Sequence, residues 1–242
     1  MPATLLRVRV LVTGAGQRLG RHLAEAFGAR GDEIFVHYHQ SEVGAQQTRA
    51  AVEGAGGRAH LGSADLSLPN AARALVRAAA ERMGGLDLVI ASAASFERRS
   101  VEQTDDDAFA RSLDLNLRSP YALIHEAIPF LRQSKGSAIF ITCTSSLRPF
   151  RGYLAYSVSK GALRHLMLAF ARELAPEVRV NAIAPGTVLP PENGNEEDSE
   201  RYRRAALLQT IGTPEDIIRA ALYLADSPFV TGQELRVDGG RL

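Results

Sequence analysis

LVTGAGQRLGRHLAEAF, residues 11–27, runs from an apolar burst through three glycines into a stretch with helical spacing. Gly14 and Gly16 let the backbone turn tightly, and Gly20 lets the following helix sit close against a sheet. A helix opening out of such a turn aims its free N–H groups and the positive end of its dipole beyond the strand, which suits a pyrophosphate. A glycine pattern alone is weak. This one lies between an expected strand and an expected helix, the context that gives it weight. The alternative is a structural turn with no ligand.

The same alternation continues to the end of the chain. RVRVLVT (7–13), EIFVHY (33–38), LDLVIAS (86–92), GSAIFIT (136–142), EVRVNAIA (177–184) and ELRVD (234–238) read as strands, and RAHLG (58–62) as a weaker one. Residues 18–30, 42–55, 69–84, 105–132, 153–175 and 214–226 carry helical spacing. Pro69 and Pro214 fall in expected first turns, with Ser67 and Thr213 nearby as caps, and QTDDD (103–107) reads as a charged helix start. Strict alternation implies a parallel sheet covered on both faces: an α/β, doubly wound, Rossmann-type single domain over residues 1–242. TVLPPENGNEEDSE (187–200) is acidic, rich in Pro and Gly, and follows a strand's carboxyl end. It reads either as part of a substrate lid, spanning about 187–210, or as a solvated loop.

The formal net charge is +1, from 28 basic and 27 acidic residues, which argues against a dedicated nucleic-acid surface. The single cysteine excludes an internal disulfide and fits a reducing compartment. The N-terminal apolar run is short for a signal peptide, and no run approaches the roughly 18 residues of a membrane span. A soluble, cytoplasmic protein with a small-molecule partner and no membrane partner is expected. His37, His39, His60, His125 and His165 show no ligand spacing, so no metal site is expected.

The second expected strand ends HYHQS (37–41) with no carboxylate. An acidic residue there would bind a ribose 2′-OH and repel a 2′-phosphate. Arg18, His39, Gln40 and Ser41 offer a permanent cation and neutral donors instead, which favours NADP(H) over NAD(H). Asp65, in SADLS (63–67), has two readings: an acceptor for an adenine amino group, or the cap of the helix beginning near Pro69. The cap is the better of the two.

YSVSK (156–160) places Tyr156 and Lys160 on one helical face. An ammonium beside a phenol favours phenolate, so such a pair can give a proton to a substrate as hydride arrives. Cys143 lies upstream at the end of the expected strand 136–142. It reads as a packed, inert residue, as a weak hydrogen-bond donor, or as a redox-sensitive thiolate near Lys160.

Taken together, TGAGQRLG (13–20), ADLS (64–67), LDLN (113–116), YSVSK, NAIAPG (181–186) and VTGQELRVDGG (230–240) resemble the classical short-chain dehydrogenase/reductase family. Arg18 in the glycine turn, HYHQS and SAASF (92–96) are most similar to its pteridine and dihydromonapterin/dihydrofolate reductases. The resemblance implies a homotetramer, Tyr156 as proton donor, Lys160 on the nicotinamide ribose, and Asn116 kinking a helix and ordering water toward Lys160. It carries cofactor contacts onto Gly14, Arg18, Leu19, Gly20, His39, Gln40, Ser41, Asp65, Leu66, Ala93, Tyr156, Lys160, Pro185 and Gly186. It carries substrate contacts onto Arg18, Ser95, Phe96 and Tyr153, with Phe96 stacking a pterin ring. A core aromatic is the alternative for Phe96.

Two departures stand out. The family's usual Asn-Asn-Ala-Gly is Ala91-Ser92-Ala93-Ala94 here, so asparagine ties between strands are gone and Ser92 is the candidate replacement. Cys143 stands where the family carries serine, or aspartate in the pteridine branch, which implies a catalytic position held by a weaker group. In a strand, Thr142 and Thr144 should face away from that position, while Ser145 shares its face. The expected function is an NADPH-dependent reductase of a pterin or dihydrofolate-like ring. The alternatives are a general carbonyl reductase of 3-oxoacyl or ketone substrates, and a non-catalytic NADPH-binding sensor.

Overall fold

The computed structural model describes residues 7–190 and 195–241. Seven strands form one parallel sheet: β1 Arg9–Val12, β2 Glu33–Tyr38, β3 Arg58–Ser63, β4 Leu88–Ala91, β5 Ser137–Ile141, β6 Arg179–Pro185 and β7 Glu234–Val237. Their spatial order is β3-β2-β1-β4-β5-β6-β7. Among the described residues, eight α-helices lie between them: α1 Arg18–Gly28, α2 Glu42–Gly54, α3 Ala71–Met83, α4 Asp106–Leu113, α5 Ser119–Ser134, α6 Leu154–Leu174, α7 Glu196–Arg204 and α8 Pro214–Asp226.

Successive strand residues serve opposite faces, and both faces are apolar. Leu11, Val89 and Ala138 pack with α3, α5 and α6, whereas Val10, Val12, Ile90 and Ile139 pack with α1, α2 and α8. This explains why the central strands read as continuous apolar runs rather than alternating ones. β1 pairs with β2 on one side and β4 on the other, so the chain order reverses there. The crevice beyond the strands' carboxyl ends at such a reversal is where ligands bind in open α/β sheets. Among the described residues, no helix is long and apolar enough to cross a membrane.

Three local expectations need correction. The expected helix 105–132 is broken into α4 and α5 by a π-helical turn over Asp114–Arg118. Such turns widen a helix by one residue and recur at functional sites. Pro69 lies before the helix, because α3 starts after Asn70, and Ser67 bonds Asp65 instead of a helix end. By contrast, Pro214 opens α8 behind a Thr213–Asp216 capping box, and Asp105 caps α4 by accepting from the Ala108 N–H at 2.7 Å. The region read as a lid contains α7, whose side chains are nowhere buried; residues 191–194 of it fall outside the described residues.

Candidate active site

The glycine turn is built by close approach. A Cβ on Gly20 would stand 2.3 Å from the Gly14 carbonyl oxygen, and one on Gly16 2.9 Å from that of Ser41. Gly14 has φ +67° and donates its N–H to His37 Nδ1 at 3.0 Å, while His37 Nε2 meets the Ala64 carbonyl at 3.0 Å. His37 is therefore a neutral strut from β2 to the loops after β1 and β3, with Nε2 carrying the proton. Burial takes its pKa down to about 4. Arg18 holds a left-handed φ of +50°, a conformation that costs a non-glycine residue about 1 kcal/mol or more. Its guanidinium donates to the Leu189 carbonyl, joining the turn to the segment after β6.

These residues border a groove of about 390 Å³ at the β1–β4 reversal. Gly14, Arg18, Leu19, Gly20, His39, Gln40, Ser41, Asp65, Leu66 and Ala93 all line it. Asp65 does not cap α3. Its Oδ1 accepts from the Ser67 hydroxyl at 2.6 Å and the Ser67 N–H at 3.0 Å, which hold the carboxyl below its ordinary range. The end of β2 supplies no carboxylate to the groove, only His39, Gln40 and Ser41. A glycine-lined groove at a helix N-terminus, with Arg18 in its turn and neutral donors but no carboxylate at the end of β2, suits a dinucleotide whose ribose bears a 2′-phosphate.

The missing asparagine ties are replaced from the other side. Thr13 Oγ1 accepts the Ser92 and Ala93 N–H groups, each at 3.0 Å. The Ser92 hydroxyl makes no hydrogen bond among the described residues, so Ser92 is not the substitute through its side chain.

α6 begins at Leu154, so Tyr156 and Lys160 share a face in its first turns. Lys160 is buried and donates from Nζ to the Ile141 carbonyl at 2.8 Å; Ile141 also lines the groove. Nζ lies 5.7 Å from the centre of the Tyr156 ring. Burial lowers the Lys160 ammonium to about 8. Burial also pushes the Tyr156 phenol well above its ordinary value, and negative charge on the neighbouring Cys143 adds to the rise. The sequence expectation was the opposite direction. Lys160 spends its hydrogen bond on the β5 backbone, and desolvation of the phenolate outweighs a charge at that distance.

Cys143 follows β5 in extended conformation and is partly exposed. Its Sγ accepts from the Ser145 N–H at 3.4 Å. Thr142 turns away, donating to Glu234 Oε1 at 2.7 Å. The Thr144 and Ser145 hydroxyls are buried without a hydrogen-bond partner among the described residues. The short helical turn at Thr144–Ser146 takes Ser145 out of strand alternation, so the thiol is the side chain beside the phenol.

Asn116, in the π turn, is fully buried. Its Oδ1 accepts the Ser95 N–H at 2.9 Å, and its Nδ2 donates to the Ser95 carbonyl and the Ser159 hydroxyl, both at 3.1 Å. This clamp presents the neighbouring Phe96 to the site. Phe96 is 55% exposed, which excludes the core reading. One face stacks on Tyr153 at 4.3 Å between ring centres, and the ring meets Tyr156 edge-on at 4.7 Å. A small cleft of about 30 Å³ touches Ser95 and Tyr156. Pro185 ends β6 at the same sheet edge, and Gly186 bonds from its N–H to the Val237 carbonyl at 2.9 Å; neither lines the groove.

Sequence reasoning missed His37 and Thr13. Both look like ordinary strand residues, and their roles come from loops 23 or more positions away. Among the described residues, no group of three or more His, Cys, Asp or Glu side chains is placed to hold a metal ion.

Comparison with known proteins agrees with this geometry. A family model described as enoyl-(acyl carrier protein) reductase matches residues 14–241. A 3beta-hydroxysteroid dehydrogenase of Eggerthella lenta is 35% identical, with 96% of this chain and 92% of the relative covered. A dihydromonapterin reductase of an Enterobacter species is 30% identical, with 96% and 95% covered. The crystal structure of a 3-oxoacyl-(acyl-carrier-protein) reductase from Agrobacterium tumefaciens with NADP bound superposes with a TM-score of 0.91 at 28% identity, covering 97% of this chain and 95% of the other.

Proposed function

Because this chain belongs to the short-chain dehydrogenase/reductase family of oxidoreductases, we propose that it is an NADPH-dependent reductase of a pterin or dihydrofolate-like ring. The observation that carries the substrate class is the aromatic wall beside the phenol: Phe96 on Tyr153 at 4.3 Å, with Tyr156 at its edge. A flat ring system matches such a wall in shape and polarizability. The likeness to a dihydromonapterin reductase supports the same reading. Gly14, Arg18, Leu19, Gly20, His39, Gln40, Ser41, Asp65, Leu66 and Ala93 would hold the dinucleotide along the groove, with Tyr156, Lys160, Pro185 and Gly186 at its nicotinamide end. Bound there, the reduced dinucleotide supplies a hydride.

The protein's own residues manage the proton. A phenol whose pKa is raised by burial keeps its proton until a stronger base forms beside it. The nitrogen or oxygen of a C=N or C=O bond becomes such a base as hydride arrives. Tyr156 then donates, and the Lys160 charge stabilises the phenolate left behind. Asn116 holds Ser95, and with it Phe96, in place.

A second reading, reduction of a ketone or 3-oxoacyl substrate, is favoured by Cys143. Both reductions take one hydride and one proton, but the thiol is a weaker hydrogen-bonding partner for Tyr156 than the aspartate that the pteridine branch carries to assist protonation of a ring nitrogen. Supplying dihydrobiopterin, dihydrofolate and a ketone panel to the purified protein, with NADPH or NADH, separates the readings. Faster NADPH oxidation with a pterin is the expected result. Turnover of ketones alone selects the second reading, and NADPH binding without any turnover leaves the sensor. The proposal includes assembly into a homotetramer, which light scattering checks, and a cytoplasmic location.

A further inference from the structure

The end of the chain folds back toward the substrate side. Leu208 donates its N–H to the Gly239 carbonyl at 3.0 Å, Leu207 to that of Gly240 at 3.3 Å, and Ala206 forms an antiparallel bridge with Arg241. This pairing places the Arg241 guanidinium 4.9 Å above the Phe150 ring. Its Nη1 donates to the Thr187 hydroxyl at 2.7 Å, in the segment that follows Gly186. Phe150 meets Tyr153 edge-on at 6.4 Å, Tyr153 stacks on Phe96, and Phe96 leans on Tyr156. An unbroken aromatic run therefore leads from the phenol to a fixed cation.

Arg241 has company. Arg98 lies against Gly152, and Arg148 and Arg151 flank Phe150 in the chain. None of these four arginines has an ion pair among the described residues, whereas Arg201, Arg203, Arg204 and Arg219 are all paired. The chain as a whole is nearly neutral, at +1. Unpaired positive charge near one segment of the chain repels itself and becomes favourable when an anion arrives. A guanidinium already stacked on a ring and tethered at one nitrogen loses little freedom on binding, and its remaining N–H groups suit the two oxygens of a carboxylate.

We propose that Arg241 receives a carboxylate at the far end of a planar substrate whose reacting bond lies at Tyr156. This rests on the reading of Tyr156 as the proton donor, and narrows the substrates to ring compounds with an acidic tail. The test uses the protein saturated with NADP+ and two flat bicyclic probes, 2-naphthoate and 2-naphthamide, which differ in the charge of the tail. Calorimetry should show the acid binding about tenfold or more tightly than the amide. Raising salt from about 50 to about 500 mM should narrow the gap. Arg241→Met should close it. Equal binding of the two probes, a gap that salt does not touch, or a gap that survives Arg241→Met overturns the proposal. The salt series needs no variant, so a substitution that fails to fold leaves the test standing. Tight acid-selective binding without turnover of any pterin or ketone would sink the reductase reading instead, and turnover of neutral dihydrobiopterin without acid selectivity would sink only this one.

Discussion

Lys160 offers a test in which the fold and the active site oppose each other. Its side chain is 3% exposed, and burial takes its pKa from 10.5 to about 8. Near pH 7 the ammonium is charged in both folded and unfolded chains, so the fold carries the cost of the buried charge. At about 1.4 kcal/mol per pH unit between 8 and 10.5, that cost is about 3 kcal/mol. Through that window the folded chain gives up its proton before the unfolded chain does. The unfolded state then binds more protons, and stability rises with pH. By about pH 10 only about 1 kcal/mol of the cost is left. Lys160→Met keeps an unbranched side chain and removes the titration. The bond to the Ile141 carbonyl is lost at both pH values, which shifts the stability difference between the two proteins without changing its slope. Urea unfolding of both proteins near pH 7 and pH 10 should show the variant's relative stability falling by about 2 kcal/mol as pH rises, with turnover abolished throughout. Other titrating groups cancel in the difference. A difference that stays constant with pH, or grows in the variant's favour, would refute the buried, charged lysine.

Arg18→Gly should raise stability by about 1 kcal/mol in thermal or urea unfolding, because glycine adopts φ +50° without strain, while weakening NADPH binding in a fluorescence titration; a loss of stability would show that the arginine's contacts outweigh its backbone. Phe96→Ala should raise the KM for a pterin at least about tenfold and change NADPH affinity little, since the ring borders Tyr153 and Tyr156 and not the groove. Equal effects on both ligands would remove Phe96 from the substrate side. Cys143→Asp should raise kcat on a pterin by about tenfold or more if an acid beside Tyr156 is what that reaction lacks; unchanged or lower kcat would favour the ketone reading.

The architecture was legible because it rests on local patterns. β2 spans Glu33–Tyr38 as read from EIFVHY, and every other expected strand is present with slightly different ends. The Tyr156–Lys160 pair was legible because helical spacing dictates a shared face. What escaped was set by distant partners. Asp65 reads as a cap from its position before a helix, yet the intervening Leu68–Asn70 leaves its oxygens to Ser67. The raised phenol depends on how many atoms crowd its oxygen, which no spacing encodes. The break between α4 and α5 does carry a local signal, Pro120 in the first turn of α5, which has no N–H for the Asn116 carbonyl; the inward turn of Asn116 onto Ser95 and Ser159 is the part no spacing encodes.

The departures from family pattern share a place. Arg18 sits in a left-handed backbone position, Ala91–Ala94 lacks side-chain ties, and Cys143 stands beside the phenol, all around the carboxyl ends of β1, β4 and β5. In the layers on either side of the sheet, Leu11, Val89 and Phe140 on one face and Val12, Ile90 and Ile139 on the other are apolar and fully buried. Exceptions that gather around one crevice mark where selection acted on something other than stability. Two of the three exceptions are answered structurally, by Thr13 holding the Ser92 and Ala93 N–H groups and by Arg18 bonding the Leu189 carbonyl. Cys143 has only a weak bond from the Ser145 N–H, and its nearest functional neighbour is the phenol. The thiol is therefore the exception whose explanation must be chemical, and the residue whose replacement says most about which substrate the site was shaped to reduce.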